Sequence, residues 1–234
     1  MNTASRYALP LLVLVITVLL AMPFTAIGSR ALVSIIDGMT ALEVRYRGGR
    51  LAGALDLQGI SLQFDSVTLE LDNIQSELDV SCLWQSTVCL KSLQVEALDV
   101  EIRSSEGAAA SKEPSSEMLR FPVPIQIDLA RIDAVSVTWP AGSWVQQSMR
   151  ARLSLQDSTL TLSDAVINEA LLALQNSEPE EAAIEEVLAL PEIDIPFKLN
   201  VEQLTIDTAG ALIADQAYEL EELGLAGQWQ RSKL

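Results

Sequence analysis

Seven segments of this 234-residue chain place apolar residues two positions apart: "ALDLQ", "SVTLELD", "SLQVEALDVEI", "PIQIDLARIDAVSVTW", "RARLSL", "STLTLS" and "PFKLNVEQLTID". A period of two is that of a β-strand with one apolar and one polar face. Short turn signals, among them Asp72-Asn73 and Pro140-Ala141-Gly142, punctuate these segments. The pattern therefore predicts a mostly β fold built from antiparallel meanders.

Three of the segments look like copies of one another: "SLQVEALDVE" (92–101), "KLNVEQLTID" (198–207) and, more loosely, "QIDLARIDAVSV" (126–137). In each copy the alternation slips by one residue, at Glu96-Ala97, Glu202-Gln203 and Ala130-Arg131. A slip of this kind fits a β-bulge or a bend between collinear strand halves. Repetition predicts an elongated sheet that grows by adding strands. Chance recurrence of Leu-x-Val is the alternative.

The amino-terminal segment "YALPLLVLVITVLLAMPFTAI" (7–27) contains no charged residue. As one helix it would be about 31 Å long, close to the roughly 30 Å hydrocarbon thickness of a bilayer. It predicts a transmembrane signal anchor within residues 1–30. A cleaved signal peptide is the alternative, because Ala26-Ile27-Gly28 offers a small-x-small cleavage pattern.

Two other segments lack the strand period. The Ser-, Ala- and Glu-rich stretch 104–118 predicts a flexible linker. Residues 163–190 carry helix signals and predict a short helical insertion. The resulting division has an anchor (1–30), a first β segment (31–103), the linker (104–118) and a continuing β region (119–234) that contains the insertion.

Charge and composition narrow the function classes. The net charge is −17 and the chain has no histidine. Nucleic-acid binding needs a basic surface, so no nucleic-acid partner is expected. The commonest catalytic acid–base group and metal ligand is absent. Runs of glutamate, at 178–181 and 219–222, are typical of solvated faces rather than of a catalytic carboxylate pair. We therefore expect no enzyme activity, no metal and no cofactor.

The two cysteines, Cys82 and Cys89, are the only ones in the chain. A structural zinc site would need two further Cys or His ligands, and a redox pair is more often Cys-x-x-Cys. The remaining interpretation is a disulfide that closes a short loop between two strands. Such a bond persists in an oxidising compartment. Two reduced, buried thiols remain the alternative.

The stretch that runs from "YRGGRLAGALDLQGISLQFD" through "CLWQSTVCLKSLQVEALDVEI" resembles the amino-terminal region of the TamB family. The members of this family are inner-membrane subunits of the bacterial translocation and assembly module. "CLWQSTVC" with "LKSLQVEALDVEI" is the most specific part, and "LPEIDIPFKLNVEQL" is also similar to the family. Family members are much longer, so the resemblance predicts an N-terminal fragment that is truncated at its C-terminus.

The resemblance implies a single-pass inner-membrane anchor followed by an elongated, taco-like antiparallel β-groove in the periplasm. It implies that the groove carries phospholipid acyl chains between the inner and outer membranes. The alternative role is a scaffold for outer-membrane protein or autotransporter assembly with TamA, an Omp85-family partner, contacted through the region that this chain lacks. The expected groove residues are Val67, Leu69, Leu71, Leu93, Val95, Leu153, Leu155, Leu199, Val201, Leu204 and Ile206.

Overall fold

A computed structural model describes residues 3–39, 42–63, 67–103, 121–174, 198–213 and 216–229. The described chain begins with two helices, α1 (Thr3–Ala21) and α2 (Ala26–Met39), separated by a 3-10 turn at Met22–Phe24. Nine strands follow: β1 (Leu42–Gly49), β2 (Ala54–Gln63), β3 (Val67–Asp79), β4 (Val88–Ile102), β5 (Phe121–Trp139), β6 (Gly142–Asp157), β7 (Thr159–Leu174), β8 (Lys198–Ile213) and β9 (Gln216–Trp229).

The nine strands form one sheet in which their order in space is their order in the chain. The prediction of a mostly β fold is thus confirmed, but the sheet is mixed rather than antiparallel. β4 pairs with β5 in parallel, and β7 pairs with β8 in parallel. The other six pairings are antiparallel. The predicted linker 104–118 lies outside the described residues, in the stretch that joins β4 to β5.

The predicted helical insertion at 163–190 is wrong for its first part, because residues up to Leu174 belong to β7. Alanine, leucine and glutamate in "SDAVINEALLAL" favour a helix locally. Pairing with β6 on one side and β8 on the other overrides that preference. The remainder of the insertion lies outside the described residues.

The amino-terminal helices differ from the predicted single straight helix over residues 7–27. α1 ends at Ala21, and Pro23 follows in the 3-10 turn, where its ring removes a backbone donor. Within the described ranges, no single helix is long and apolar enough to cross a membrane. Leu12–Phe24 and Ala26–Ile35 meet the length and composition criteria only as a pair, and that pair is bent by 93°. Because α2 occupies residues 26–39, the first β-strand begins at Leu42 rather than near residue 31.

α2 lies along the outer edge of β1 and runs antiparallel to it. Near the start of α2, the carbonyl of Ala26 accepts a hydrogen bond from Tyr46 Oη at 3.3 Å. Near its end, Asp37 Oδ1 accepts from the backbone N–H of Val44 at 2.9 Å. Because Val44 donates to a helix residue rather than to β2, α2 satisfies part of the sheet edge.

The turn between β1 and β2 is hydrogen-bonded to the corner between the two helices. The backbone N–H of Ala52 donates to the carbonyl of Pro23 at 2.9 Å. The N–H of Leu51 donates to Ser29 Oγ, also at 2.9 Å, and this hydroxyl in turn donates to the Pro23 carbonyl. Ser29 is fully buried. The helix corner and the first hairpin are thus joined by a small hydrogen-bonded cluster.

One extra residue interrupts the alternation of every strand from β2 to β9, at the same level of the sheet. On each side of it the register pairs apolar residues, as between Leu71 and Leu98 and between Ile74 and Val95. We call these residues the slip row: Gln58, Asn73, Glu96, Asp133, Ser148, Asn168, Asp207 and Glu222. All eight are polar, and Asn73, Ser148 and Glu222 have positive φ angles of 48°, 55° and 54°.

A second set of slips lies nearer the other end of the strands, where the register shifts between Ile127 and Ala130 and between Val201 and Leu204. The slips predicted at Glu96-Ala97 and Glu202-Gln203 are therefore in place. The slip predicted at Ala130-Arg131 is misplaced, because β5 slips instead on either side of it. The turn predicted at Asp72-Asn73 is the slip within β3.

Asn73 offers a test of the slip row. Asparagine tolerates the left-handed region, whereas a β-branched residue there costs on the order of 1–2 kcal/mol. We expect Asn73→Val to lower the free energy of unfolding by about that amount, and Asn73→Gly to lower it much less. Gln75→Val, on the same strand but in extended conformation, is the matched control. Equal losses for Asn73→Val and Gln75→Val in urea titrations of the detergent-solubilised protein would contradict the assignment.

Candidate functional site

One face of the sheet is apolar across all nine strands. Paired positions on neighbouring strands carry their side chains on the same face. We define the central row by following these pairs from β1 to β9: Tyr46, Leu57, Ile74, Val95, Ile132, Met149, Ile167, Ile206 and Leu223. Every member is apolar or aromatic, so an apolar line crosses the sheet perpendicular to its strands.

The rows on both sides of the central row continue this apolar face. Leu57, Ile74 and Val95 form one buried cluster, against which Leu55 and Leu93 pack from one side and Ile60 and Leu71 from the other. Ile167 and Ile206 form a second cluster with Ala170, and Leu204 and Ala209 pack against it. Leu71 and Ile74 lie three positions apart yet belong to the same cluster. The slip row is therefore what keeps both halves of each strand facing the same way.

The eleven residues predicted to line a groove all fall on this face. Val95 and Ile206 belong to the central row, and Leu71 and Leu204 belong to the rows beside it. The others pair only with apolar or small residues. Leu69 pairs with Leu62 and Val100, Val67 with Ile102, Leu93 with Ala130 and Ser76, Leu153 with Ile127 and Leu162, Val201 with Leu162 and Gly227, and both Leu155 and Leu199 with Leu160.

The centre of the apolar face is shielded from water. Val95 is 2% exposed and Ile206 is 3% exposed, although the described strands all belong to one sheet. A side chain on a flat, uncovered sheet would be far more exposed. Burial decreases towards β9, where Tyr218, Leu220 and Leu225 are about half exposed. The face thus changes from a shielded middle to an open last strand.

The only charged residue at an apolar-face position of the described strands is Asp157, at the end of β6. The main polar group within the face is Gln146, which pairs with Val135 and Ala170. Gln146 is 7% exposed. Its Oε1 accepts from Trp144 Nε1 at 3.2 Å, and its Nε2 donates to Met149 Sδ at 3.3 Å. A buried amide with local partners does not need water. The face can therefore contact hydrocarbon without an unsatisfied charge.

The opposite face carries the charge. Ion pairs join Arg45 to Asp72 at 3.4 Å and Lys91 to Glu77 at 3.4 Å. Polar side chains also follow the slips: Asn73 donates to Glu96 Oε2 and accepts from Arg47, and Ser163 Oγ donates to Glu202 Oε2 at 2.8 Å. On β9, the glutamates at 219–222 are exposed, whereas those at 178–181 lie outside the described residues. Exposed pairs of this kind contribute little stability, so the segregation of charge is the feature that matters.

The Cys82–Cys89 disulfide is present, with a Cα–Cα distance of 5.9 Å. It closes the loop between β3 and β4, which contains a 3-10 helix at Val80–Gln85. Asp79 caps that helix: Ser81 donates to its carboxylate through the hydroxyl at 2.7 Å and the backbone N–H at 2.9 Å. These two hydrogen bonds lower the pKa of Asp79, so the cap persists below the ordinary Asp range and is lost as the pH falls through the lowered value.

Sequence reasoning missed the contribution of β5 and β7 to the apolar face. Four strands repeat the same apolar offsets of 0, 2, 5, 7, 10, 12 and 14 residues, starting from Val88, Ile125, Leu160 and Leu199. That shared spacing was available in the sequence and agrees with the parallel registers of β4 with β5 and of β7 with β8, although it does not by itself say which strands are neighbours. Among the residues that the structure describes, no group of three or more Cys, Asp or Glu side chains is placed to hold a metal ion.

Comparison with known proteins gives one family. A model described as "TamB, N-terminal domain" matches residues 12–234. A curated relative, the translocation and assembly module subunit TamB of Haemophilus influenzae, is 24% identical over 221 residues. The alignment covers 83% of this chain and 17% of the relative, so the chain spans a small part of that protein's length. No solved structure matches.

Proposed function

The chain belongs to the TamB family, whose N-terminal domain its residues 12–234 match, and from that premise we propose that its sheet carries phospholipid acyl chains. In this proposal the apolar face lines an open groove, and lipid moves along the rows from β1 towards β9. The protein acts as a conduit, without catalysing a reaction and without a cofactor.

The observation that carries this proposal is the unbroken central row. A chain that moves perpendicular to the strands meets an apolar side chain on each of the nine strands. With neighbouring strands about 4.8 Å apart, the row extends over roughly 38 Å. No carboxylate or ammonium of the described strands stands on that path. An acyl chain can therefore remain in hydrocarbon contact throughout, which avoids the cost of exposing it to water.

Curvature of the sheet explains how a single sheet shields its own apolar face. Strands in a sheet twist relative to one another, and bulges increase the local bend. The slip row crosses this sheet from β2 to β9 and a second set of slips occurs in some of its strands, both of which favour coiling of the sheet. The low exposure of Val95 and Ile206 supports a concave apolar face. A trough of this kind differs from a sandwich core because its opening admits a ligand.

We also propose that α1 inserts into the inner membrane and that the sheet lies in the periplasm. From Leu12 to Leu20 the described side chains of α1 are exposed, and the large apolar ones are 46% to 68% exposed. Exposed apolar surface of this extent on one helix calls for an apolar environment. The Cys82–Cys89 bond supports the periplasm, since disulfides persist in oxidising compartments.

The oxidation state of Cys82 and Cys89 in cells tests directly whether the sheet lies in the periplasm. Cells lysed in the presence of an alkylating agent should yield the linked Cys82–Cys89 peptide when the protein is digested without reduction. The reason is that the bond forms on the oxidising side of the membrane. Recovery of both cysteines as alkylated thiols would instead place the sheet in a reducing compartment.

A second role, as a scaffold for outer-membrane protein assembly, has one specific observation in its favour. β9 is the last strand of the described sheet, and its apolar side chains Tyr218, Leu220 and Leu225 are exposed. An exposed edge strand can pair with a client segment by β-augmentation. The conduit remains the better-supported proposal. The scaffold role is supported by features of β9 alone, whereas the apolar face that supports the conduit includes residues of all nine strands.

Photo-crosslinking distinguishes the two faces. A photoreactive residue at Leu69, Leu155 or Val201 should form phospholipid adducts in cells. The same residue at Glu70 or Gln156 should form none, because these chain neighbours lie on the polar face. Adducts at the apolar positions only, detected by mass spectrometry, are the expected result.

A charged variant provides the contrasting outcome. Leu69→Asp should leave the protein folded, because a carboxylate in an open trough is partly hydrated, and it should reduce the adducts formed at Val201. In a closed core the same change would lower the free energy of unfolding by several kcal/mol. Unfolding of Leu69→Asp, together with no adducts at any position, would mean a closed core and would remove the argument for lipid transfer.

A further inference from the structure

α2 has a second apolar surface that faces away from the sheet. We call it the α2 stripe and define it as Ile27, Ala31 and Ile35, which are spaced four residues apart and share one side of the helix. Ile27 is 86% exposed and Ile35 is 53% exposed. Val33, which is buried, lies roughly 200° around the helix from Ala31. The helix is therefore apolar on both sides, and β1 and its turn account for only one of them.

The direction of the bend decides which way the α2 stripe points. A side chain at Gly28 would collide with the backbone of Met22, so the start of the 3-10 turn that follows α1 lies against the Gly28 side of α2. Gly28 and Ile35 are seven residues apart, which places them within about 20° of each other around the helix. Ala31 lies about 60° and Ile27 about 100° from Gly28, so the Ile35 end of the α2 stripe lies on the side of α2 from which α1 departs and Ile27 lies at the margin of that side.

The 93° bend then fixes how α2 is oriented. If α1 is inserted near the membrane normal, α2 is nearly parallel to the membrane plane, and so is β1, which runs along it. Relative to α2, the bilayer then lies on the side from which α1 departs. The α2 stripe faces that side, with Ile27 at the margin. We propose that α2 is an interfacial helix that rests on the outer surface of the bilayer through Ile27, Ala31 and Ile35. This inference rests on the insertion of α1 in the proposed function.

The charges around α2 argue against the two helices forming one broken span inside the hydrocarbon. Arg30 and Asp37 belong to α2 and are exposed. Asp37 is bonded to β1, whose exposed Glu43 and Arg45 would follow α2 into the membrane. Charged side chains within the hydrocarbon are costly and are rare unless paired. At the interface the same charges reach water and headgroups while the isoleucines enter the acyl boundary.

An interfacial α2 would fix the sheet relative to the bilayer. Tyr46, the first member of the central row, donates a hydrogen bond to the carbonyl of Ala26 in α2. The hydrogen bonds from Leu51 and Ala52 hold the helix corner to the first hairpin. The β1 end of the apolar face would therefore stand next to the bilayer surface, where an acyl chain leaves the outer leaflet of the inner membrane.

Spin-label depth measurements in phosphatidylcholine nanodiscs test the inference on the full chain. Because Cys82 and Cys89 are bonded, an introduced single cysteine can be labelled selectively. The label positions are Ile27 and Ile35 in the α2 stripe, Leu14 in α1 as the inserted reference and Gln75 on the polar face of β3 as the aqueous reference. We expect labels at 27 and 35 to be protected from a water-soluble nickel relaxant and to lie shallower than the label at 14.

The other outcomes have separate meanings. Labels at 27 and 35 that are as accessible to nickel as the label at 75, with 14 protected, would overturn the interfacial helix and leave the anchor intact. Labels at 27 and 35 as deep as 14 would also overturn it, in favour of a broken span. An accessible label at 14 would overturn the insertion of α1 and this inference with it, while the crosslinking test of the groove would still stand.

Discussion

The apolar face depends on a constraint of strand geometry: successive side chains point to opposite faces, so one extra residue turns the rest of a strand over. In this sheet the extra residue occurs at the same level in eight consecutive strands. A slip in one strand alone would place its apolar half on the charged face. Because all eight slip together, Leu71 and Ile74 stay on one face with their partners Leu98 and Val95. Polar residues suit these positions since their side chains form hydrogen bonds there, as Asn73 does with Glu96.

The sequence predicts the strands well and their directions poorly. Alternation at Val67, Leu69 and Leu71 identifies a strand with one apolar face, and the pairing of Leu69 with Val100 agrees. Alternation alone contains no information about direction, which lies in the shared spacing of the slips, so alternation did not predict the parallel pairing of β4 with β5. The helix prediction for 163–174 failed because the two slips of β7 space Leu162, Ala165, Ile167 and Ala170 three and two apart, which resembles a helical period. In residues 163–174, pairing with the neighbouring strands β6 and β8 determines the conformation.

The two ends of the sheet are built differently. At β1, α2 accepts an edge N–H through Asp37, and the helix corner is bonded to the first hairpin. At β9, the apolar side chains are exposed. This asymmetry was not visible in the sequence, because a continuous helix over 7–27 gave no reason to expect a bend at Met22–Phe24. A conduit needs such a difference, since one end has to meet a donor membrane and the other has to pass lipid on.

The central claim is that the apolar face holds acyl chains, and native mass spectrometry of the detergent-extracted protein tests it most directly. An open apolar trough should retain phospholipid through purification, because releasing it exposes both the chain and the trough to water. The account predicts bound masses that correspond to membrane phospholipids. It also predicts that their abundance falls in a Leu155→Asp variant, which remains folded because Leu155 is only partly buried. Wild-type protein that is folded yet carries no phospholipid, with the same spectrum as the variant, would contradict it.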